Sequence, residues 1–322
     1  MPTKASSGSV SKGTPVGESC WLTGRVHRFD CNPIVSAATP GWRDPSDADN
    51  INGPSVVRVP PGTPGALATY YMYFAHHSGK YIRLAHASDV EGPWSILPGG
   101  VLPLTATGFD DHVASPDVVI DPASGQWRMY FHGESAGAPE QTTRMAVSPD
   151  GLTWEVPERV DVAPFYLRAV CHGNRWYGVA KNRNESLFLL RSDTGLDPWE
   201  VGPEVIPLGR HVALEVVDGH LVCFYSRIGD APEQLLVTAF DLSLPWEEWA
   251  SNAKPETLVL APAEAYEGVE HPVAPSSPGS AVGVRQLRDP HVLRDGKRRV
   301  LFYSAAGEES IAAAELHLEF TL

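Results

Sequence analysis

Short apolar runs separated by turn residues recur along the chain, each time in the same order. A group opens on a run such as Ser55-Val56-Val57, Asp117-Val118-Val119 or His291-Val292-Leu293. A second run follows a turn: Tyr71-Met72-Tyr73-Phe74, Arg128-Met129-Tyr130-Phe131, Leu221-Val222-Cys223-Phe224-Tyr225-Ser226 and Val300-Leu301-Phe302-Tyr303-Ser304. Third runs lie at 81–87, 143–148, 235–240 and 310–316. A turn with a Trp closes most groups, as in Gly92-Pro93-Trp94, Asp150-Gly151-Leu152-Thr153-Trp154 and Pro245-Trp246. Residues 165–206 repeat the order with runs at 167–171, 176–180 and 187–191 and the turn Asp197-Pro198-Trp199. Runs this short, rich in Val, Tyr, Phe and Leu and bounded by Gly, Pro and Asp, predict strands. Only residues 246–251 read as a turn of helix.

Five such groups at a spacing of roughly 45–75 residues predict an all-β, five-bladed β-propeller over residues 20–322, a single domain. A four-stranded sheet cannot bury both faces alone, so successive sheets must stack and the stack must close. The last group supplies only three strands before Leu322. Residues 21–29 are expected to give the fourth, so that an N-terminal strand pairs with the C-terminal blade and no edge is left open. Residues 1–19, rich in Ser, Gly, Thr and Lys, read as a flexible tail. The rival architecture is an irregular β-sandwich.

Composition narrows this further. The 322 residues hold 29 Gly and 29 Pro, which suits many turns and disfavours a helical bundle or a doubly wound α/β fold. A hydrophobic share of 43% allows a large core. The net charge of −14 argues against nucleic acid or an anionic membrane as partner, since phosphate contacts need clustered Lys and Arg. No apolar run reaches the ~20 residues of a membrane span. The first residues do not form a signal peptide, so a cytoplasmic location is the expectation. Cys20, Cys31, Cys171 and Cys223 form no CxxC pair, which disfavours a structural zinc site. Cys171 and Cys223 sit in apolar runs and are expected to be buried free thiols.

The x-Pro-x-Val-Val starts at Pro54 and Pro116, the Met-Tyr-Phe and Phe-Tyr-Ser second runs and the Ser-x-Asp-Gly-x-x-Trp end at Ser148–Trp154 resemble the five-bladed glycosidases, broadly glycoside hydrolase family 43 and its relatives in families 32, 68 and 117. The resemblance covers about residues 20–322. It implies an active site at one mouth of the central channel, where inner strands begin, with three carboxyl groups there. It further implies that the Asp directly before such a Pro is the usual reacting carboxylate. Only Asp289, in Arg288-Asp289-Pro290, fits; blade 1 has Asn52-Gly53-Pro54 and blade 2 Ser115-Pro116-Asp117, a departure from the family pattern.

Asp289 is therefore the candidate base or nucleophile. Asp117 is the partner carboxylate or pKa tuner, because two positions along a strand returns to the same side. Two such acids can flank a glycosidic oxygen, one protonated and one ionised. Glu215 falls well inside its strand and ranks lower; Asp49 is a reserve. His77, His112 or His211 is the candidate proton donor, since imidazole titrates near neutrality; the resemblance to family 117 points the same way. Asn52, His76, Arg83, His132, Arg168, Arg210, Arg227, Asp230, Glu233 and Arg288 are candidate substrate contacts. Arginines in an acidic chain point to internal ion pairs or to an anionic sugar. Trp42, Tyr81, Tyr166 and Trp176 are candidate stacking surfaces. The reading is an exo-acting glycoside hydrolase on a small oligosaccharide. It needs no cofactor, although a divalent ion, Ca or a transition metal on the histidines, is compatible with the channel. The rival functions are a metal-dependent uronate lyase and a sugar-binding propeller without catalysis.

Overall fold

A computed structural model describes residues 13–42, 50–157 and 160–322. Residues 1–12 of the expected tail and the reserve carboxylate Asp49 lie outside the described residues. Five antiparallel sheets follow one another along the chain and close into a propeller. Blade 1 comprises Asn52–Arg58, Tyr70–Ala75, Tyr81–Ala87 and Ser95–Ile96. Blade 2 comprises Val113–Ile120, Trp127–Gly133, Thr142–Ser148 and Ala163–Pro164. Blade 3 comprises Arg168–His172, Arg175–Asn182, Ser186–Ser192 and Glu200–Pro207. Blade 4 comprises Gly209–Val217, His220–Arg227, Leu235–Asp241 and Thr257–Leu260. Blade 5 comprises Val282–Asp295, Arg298–Gly307, Ser310–Phe320 and, from the other end of the chain, Leu22–Arg28. That last strand runs antiparallel to Ser310–Phe320, from Leu22 opposite Phe320 to Arg28 opposite Ala314. The expected closure is thus present.

Part of the expected tail, from residue 13 on, is described and is paired. Thr14–Pro15 pairs with Val26 and Arg25, and the Gly17 N–H donates to Leu258 O at 2.8 Å, so the described part of this segment is fastened to blades 4 and 5. The helical turn at Trp246–Glu248 is a 3-10 turn, as its length allows. No helix among the described residues is long and apolar enough to cross a membrane. All four cysteines are free; Cys223 is buried and Cys171 half-buried.

Among the described residues the core divides into five apolar wedges, one between each pair of neighbouring blades. The recurring sequence signals have a direct cause here. The Tyr73 hydroxyl, buried in blade 1, donates to Gly151 O of blade 2 at 2.7 Å, and Tyr130 of blade 2 donates to Gly195 O of blade 3 at 2.7 Å. Each phenol so keeps a partner inside an apolar wedge, which an unpaired buried hydroxyl would lack. Gly151 is required: its φ is +75°, and an added Cβ would lie 2.6 Å from the Tyr73 hydroxyl. Asp150 holds that turn by accepting from the N–H groups of Leu152 and Thr153, both at 2.8 Å.

Candidate active site

Three inner strands each carry a residue in the left-handed region followed by proline: Gly53 (φ 63°), Ser115 (φ 45°) and Asp289 (φ 48°). Blade 3 enters in the same way at Tyr166 (φ 62°), ahead of Leu167. In blades 1, 2 and 5 the ladder slips at this point, between Asn52 and Ser55, Ala114 and Asp117, and Arg288 and His291. Such a bulge re-aims the side chains around it. A non-glycine residue held at positive φ is strained, and strain of this kind gathers at functional sites. Gly53 shows what the geometry demands: a Cβ there would stand 3.3 Å from Ser115 Cα of the next blade. A side chain at this position of blade 1 would be both strained and crowded.

The strand starts surround a cavity of about 340 Å³. Its walls include Asn52, His77, His112, Ser115, His132, Phe165, Tyr166, Lys181, Arg210, His211 and Glu308. Behind them lies Asp289, 1% exposed, accepting from the Ser304 hydroxyl at 2.8 Å and the Gly53 N–H at 3.4 Å. Its other oxygen, Oδ1, meets Nδ1 of His211 from the neighbouring blade. The His211 ring packs on Tyr166 at 4.2 Å, and Tyr166 packs on His132 at 4.1 Å. His132 in turn stands 5.6 Å from His112, whose Nδ1 is 3.0 Å from Asp111 Oδ2. On the opposite side, Glu308 accepts from Arg288 Nη1 (2.9 Å), Asn50 Nδ2 (2.7 Å) and Asn52 Nδ2 (2.9 Å).

These surroundings push the titratable groups apart. Burial alone would raise the Asp289 carboxyl; the adjoining His211, the Ser304 hydroxyl and Arg288 outweigh it and hold the carboxyl below its usual range. Burial pushes His211 down to about 4, against the pull of Asp289. At neutral pH the pair is therefore an ionised carboxylate beside a neutral imidazole. With the imidazole proton on Nδ1, facing Asp289 Oδ1, the lone pair is left on Nε2. Glu308 moves the other way: burial, then the Asp289 charge, raises it. His132 is driven far below its usual value by burial and by the neighbouring His112 and His211. Burial, then Arg210, brings Lys181 down to about 7.

The sequence candidates divide sharply. Asn52, His77, His112, His132, Arg210 and His211 reach the cavity, with Asp289 immediately behind His211. Asp117 and Arg168 do not. They line a separate cavity of about 370 Å³ further along the channel, with Val56, Trp176, Ala213 and His291. There Asp117 Oδ2 accepts from the Ala169 N–H of the next blade at 2.8 Å, and Arg168 Nη1 lies 3.3 Å from Oδ1. Asp117 is one of a set of links between inner strands: Ser55 Oγ accepts from the Val118 N–H at 2.8 Å, and His291 Nε2 meets Val56 O at 2.9 Å. The expectation that Asp117 shares a mouth with Asp289 is corrected: the bulge at Asp289 breaks the count by twos. Glu233 and Arg288 sit one layer deeper, Glu233 with Arg210 (2.7 Å) and Ser226 (2.8 Å), Arg288 with Glu308. Arg83 donates to Asn50 O at 3.1 Å and stacks on Trp42 at 4.7 Å, behind the wall. Arg227 pairs with Glu256 away from the cavity, and His76 and half-buried Asp230 do not line it. Glu215 holds Arg299 at 2.7 Å and Arg294 at 2.5 Å, an ion-pair cluster outside the mouth.

Glu308 and Lys181 were missed, though a signal existed. His76 and His77 follow the second strand of blade 1, His132 lies at the end of that of blade 2 and Lys181 at the end of that of blade 3, and Glu308 follows that of blade 5. Reading every blade at that position would have found both. Among the described residues no three of His, Cys, Asp and Glu gather so that they could hold a metal ion.

The five-bladed ring with its polar mouth is the architecture of the propeller glycoside hydrolases. A glycosyl hydrolase from Bacteroides ovatus matches 91% of this chain and 93% of its own at 9% identity, TM-score 0.64. A structure from the GH130 family, described as mannoside phosphorylases that include glycoside hydrolases targeting β-1,2 mannosidic linkages in Candida mannan, matches 94% and 96% at 9% identity, TM-score 0.63. No family model matches the sequence. By sequence the chain is 31% identical over 330 residues to uncharacterized protein R118 of Acanthamoeba polyphaga mimivirus, covering 90% of each, and it belongs to the same family as that protein.

Proposed function

We propose that the chain is a glycosidase that removes terminal units from a small oligosaccharide at the mouth cavity. The observation that carries the reading is an arrangement: Asp289 backs His211 on one side of the cavity and Glu308 lines the other, in surroundings that push the two carboxyls in opposite directions. A group that keeps its proton and a group that has lost one are the two requirements of glycosidic hydrolysis. In this reading Glu308 gives its proton to the leaving oxygen as the C–O bond breaks. His211 Nε2 takes a proton from water as that water's oxygen bonds to the anomeric carbon. Asp289 fixes the His211 tautomer and stabilises the imidazolium that forms, in the manner of a carboxylate behind a catalytic histidine. Asp289 is too enclosed to attack the sugar itself, which favours single displacement with inversion.

A cavity near the lower end of the usual ~300–1,000 Å³ for ligand sites suits one or two sugar rings and favours end-on cleavage. Tyr166 and Phe165 offer it an aromatic face. Fold likeness adds only a prior, because one propeller hosts many chemistries. The test is a panel of nitrophenyl glycosides and defined oligosaccharides, with the anomer of the first product followed by NMR. Release of an inverted end unit supports the reading. Retention refutes the single displacement, and binding without turnover across the panel makes the chain a sugar-binding propeller instead.

A further inference from the structure

The buried cations of this molecule are matched almost residue for residue by carboxylates. Arg28 lies on Glu267, Arg128 on Asp121, Arg168 on Asp117, Arg210 on Glu233, Arg288 between Glu233 and Glu308, and Arg299 on Glu215. Lys181 departs from the pattern. It is 3% exposed and lines the mouth cavity, yet among the described residues no carboxylate comes within ion-pair distance of it. Its ammonium donates to Asn184 Oδ1 at 2.7 Å and stands 5.4 Å and 5.2 Å from the rings of Phe165 and Tyr166. One of three donors is so satisfied, and Arg210 nearby adds like charge. An ammonium held out of water without a counter-charge is costly, so Lys181 falls to about 7 and is in part neutral in the free chain; lysine is almost never so buried unless paired, and an anion in the cavity would restore its charge. The acids that share the cavity are engaged or outlying: Glu308 is held by Arg288 and two asparagines, while Asp111 and Glu134 stand at its exposed rim.

We propose that the missing counter-charge comes with the ligand: Lys181 pairs with a carboxylate carried by the bound sugar, so the substrate class is an acidic, uronate-type glycoside. The aromatic pair Phe165 and Tyr166 takes the ring face while Lys181 takes the acid group. Arg210, the arginine on the cavity wall, is already committed to Glu233, so the charge-reading task falls to the lysine. The assignment rests on the glycosidase reading for turnover, but not for binding.

The test is calorimetric titration of the full chain with D-glucuronate and D-galacturonate against D-glucose and D-galactose, for wild type, Lys181→Met and Lys181→Arg. Wild type should bind at least one acid sugar tenfold or more tighter than its neutral counterpart. Lys181→Met should abolish that preference, and Lys181→Arg should keep part of it. Methionine fills the same volume without a buried charge, and a thermal melt shows whether it folds; the arginine variant gives a second, charge-retaining measurement. Equal affinity for acid and neutral sugars, or a preference that survives in Lys181→Met, overturns the proposal. So does inorganic phosphate binding as tightly as the uronate with the sugar still in place, because Lys181 would then serve a free anion. Neutral glycosides cleaved without any acid preference would sink this inference alone. A clear acid preference with no turnover on any glycoside would sink the glycosidase reading alone.

Discussion

The two cavities of the channel hold two aspartates that look alike in sequence. Asp289 stands immediately before a proline and Asp117 immediately after one, both at the bulge of an inner strand, and both are buried. Asp117 is bonded across to the next blade by a backbone N–H and by Arg168, and burial outweighs these and raises its pKa. Asp289 faces an imidazole that opens on a cavity, and its pKa is lowered. Every partner of Asp117 is fixed architecture, whereas one partner of Asp289, His211, lies on the cavity wall and keeps a buried ring nitrogen, Nε2, without a hydrogen-bond partner. What separates a structural acid from a chemical one here is what lies behind its partner. Neither burial nor nearness to proline does so.

The sharpest way to break the comparison is to amidate each acid in turn. Asp289→Asn should lower kcat by about 10³–10⁴, as when the carboxylate behind a catalytic histidine is lost, with the folded state retained. Asp117→Asn should instead leave kcat within a few-fold and cost about 3–5 kcal/mol of stability, since it strands a buried Arg168. Steady-state kinetics beside urea unfolding reads both; a stable, inactive Asp117→Asn would erase the distinction. Glu308→Gln comes next. It should lower kcat by about 10²–10⁴ on alkyl glycosides and much less on nitrophenyl glycosides, whose leaving group needs little protonation.

The pH profile is a finer test. His211 must be neutral to accept a proton, so activity should be lost as pH falls through about 4. Glu308 must be protonated to give one, so activity should be lost as pH rises through its raised pKa. The result is a bell centred on the acid side of neutrality, and Glu308→Gln should flatten its alkaline limb. An optimum on the alkaline side would reverse the assigned roles. The smallest effect belongs to the architectural side: Ser55→Ala removes the acceptor for the buried Val118 N–H and should cost about 1–3 kcal/mol with kcat unchanged.

The ring was readable in the sequence because its signals are local. Tyr73 and Tyr130 each need a glycine carbonyl in the next blade, so a Tyr in the second run and a Gly in the following group's turn recur at fixed places, and the closing strand shows as a missing fourth run. The mouth was half readable. Asp289, His211, His132, His112, His77 and Asn52 were picked from their positions at strand starts and ends. Asp117 was misplaced because alternation assumes an unbroken ladder, and the bulge at Asp289 inserts a residue just where the count begins. Glu308 and Lys181 escaped because the ends of the second strands were read only in blades 1 and 2; what tunes them, pairing across blades, leaves no trace in a single chain's spacing.

The seam of the ring has a practical outcome. Strand Ser310–Phe320 descends away from the mouth, and Thr321 N–H donates to Trp21 O at 2.8 Å beside the start of the closing strand. Leu322 thus emerges at the floor of the disc. A surface, label or fused module attached there would hang beneath the molecule and leave the opening facing outward, so immobilised protein should stay fully accessible to large saccharides.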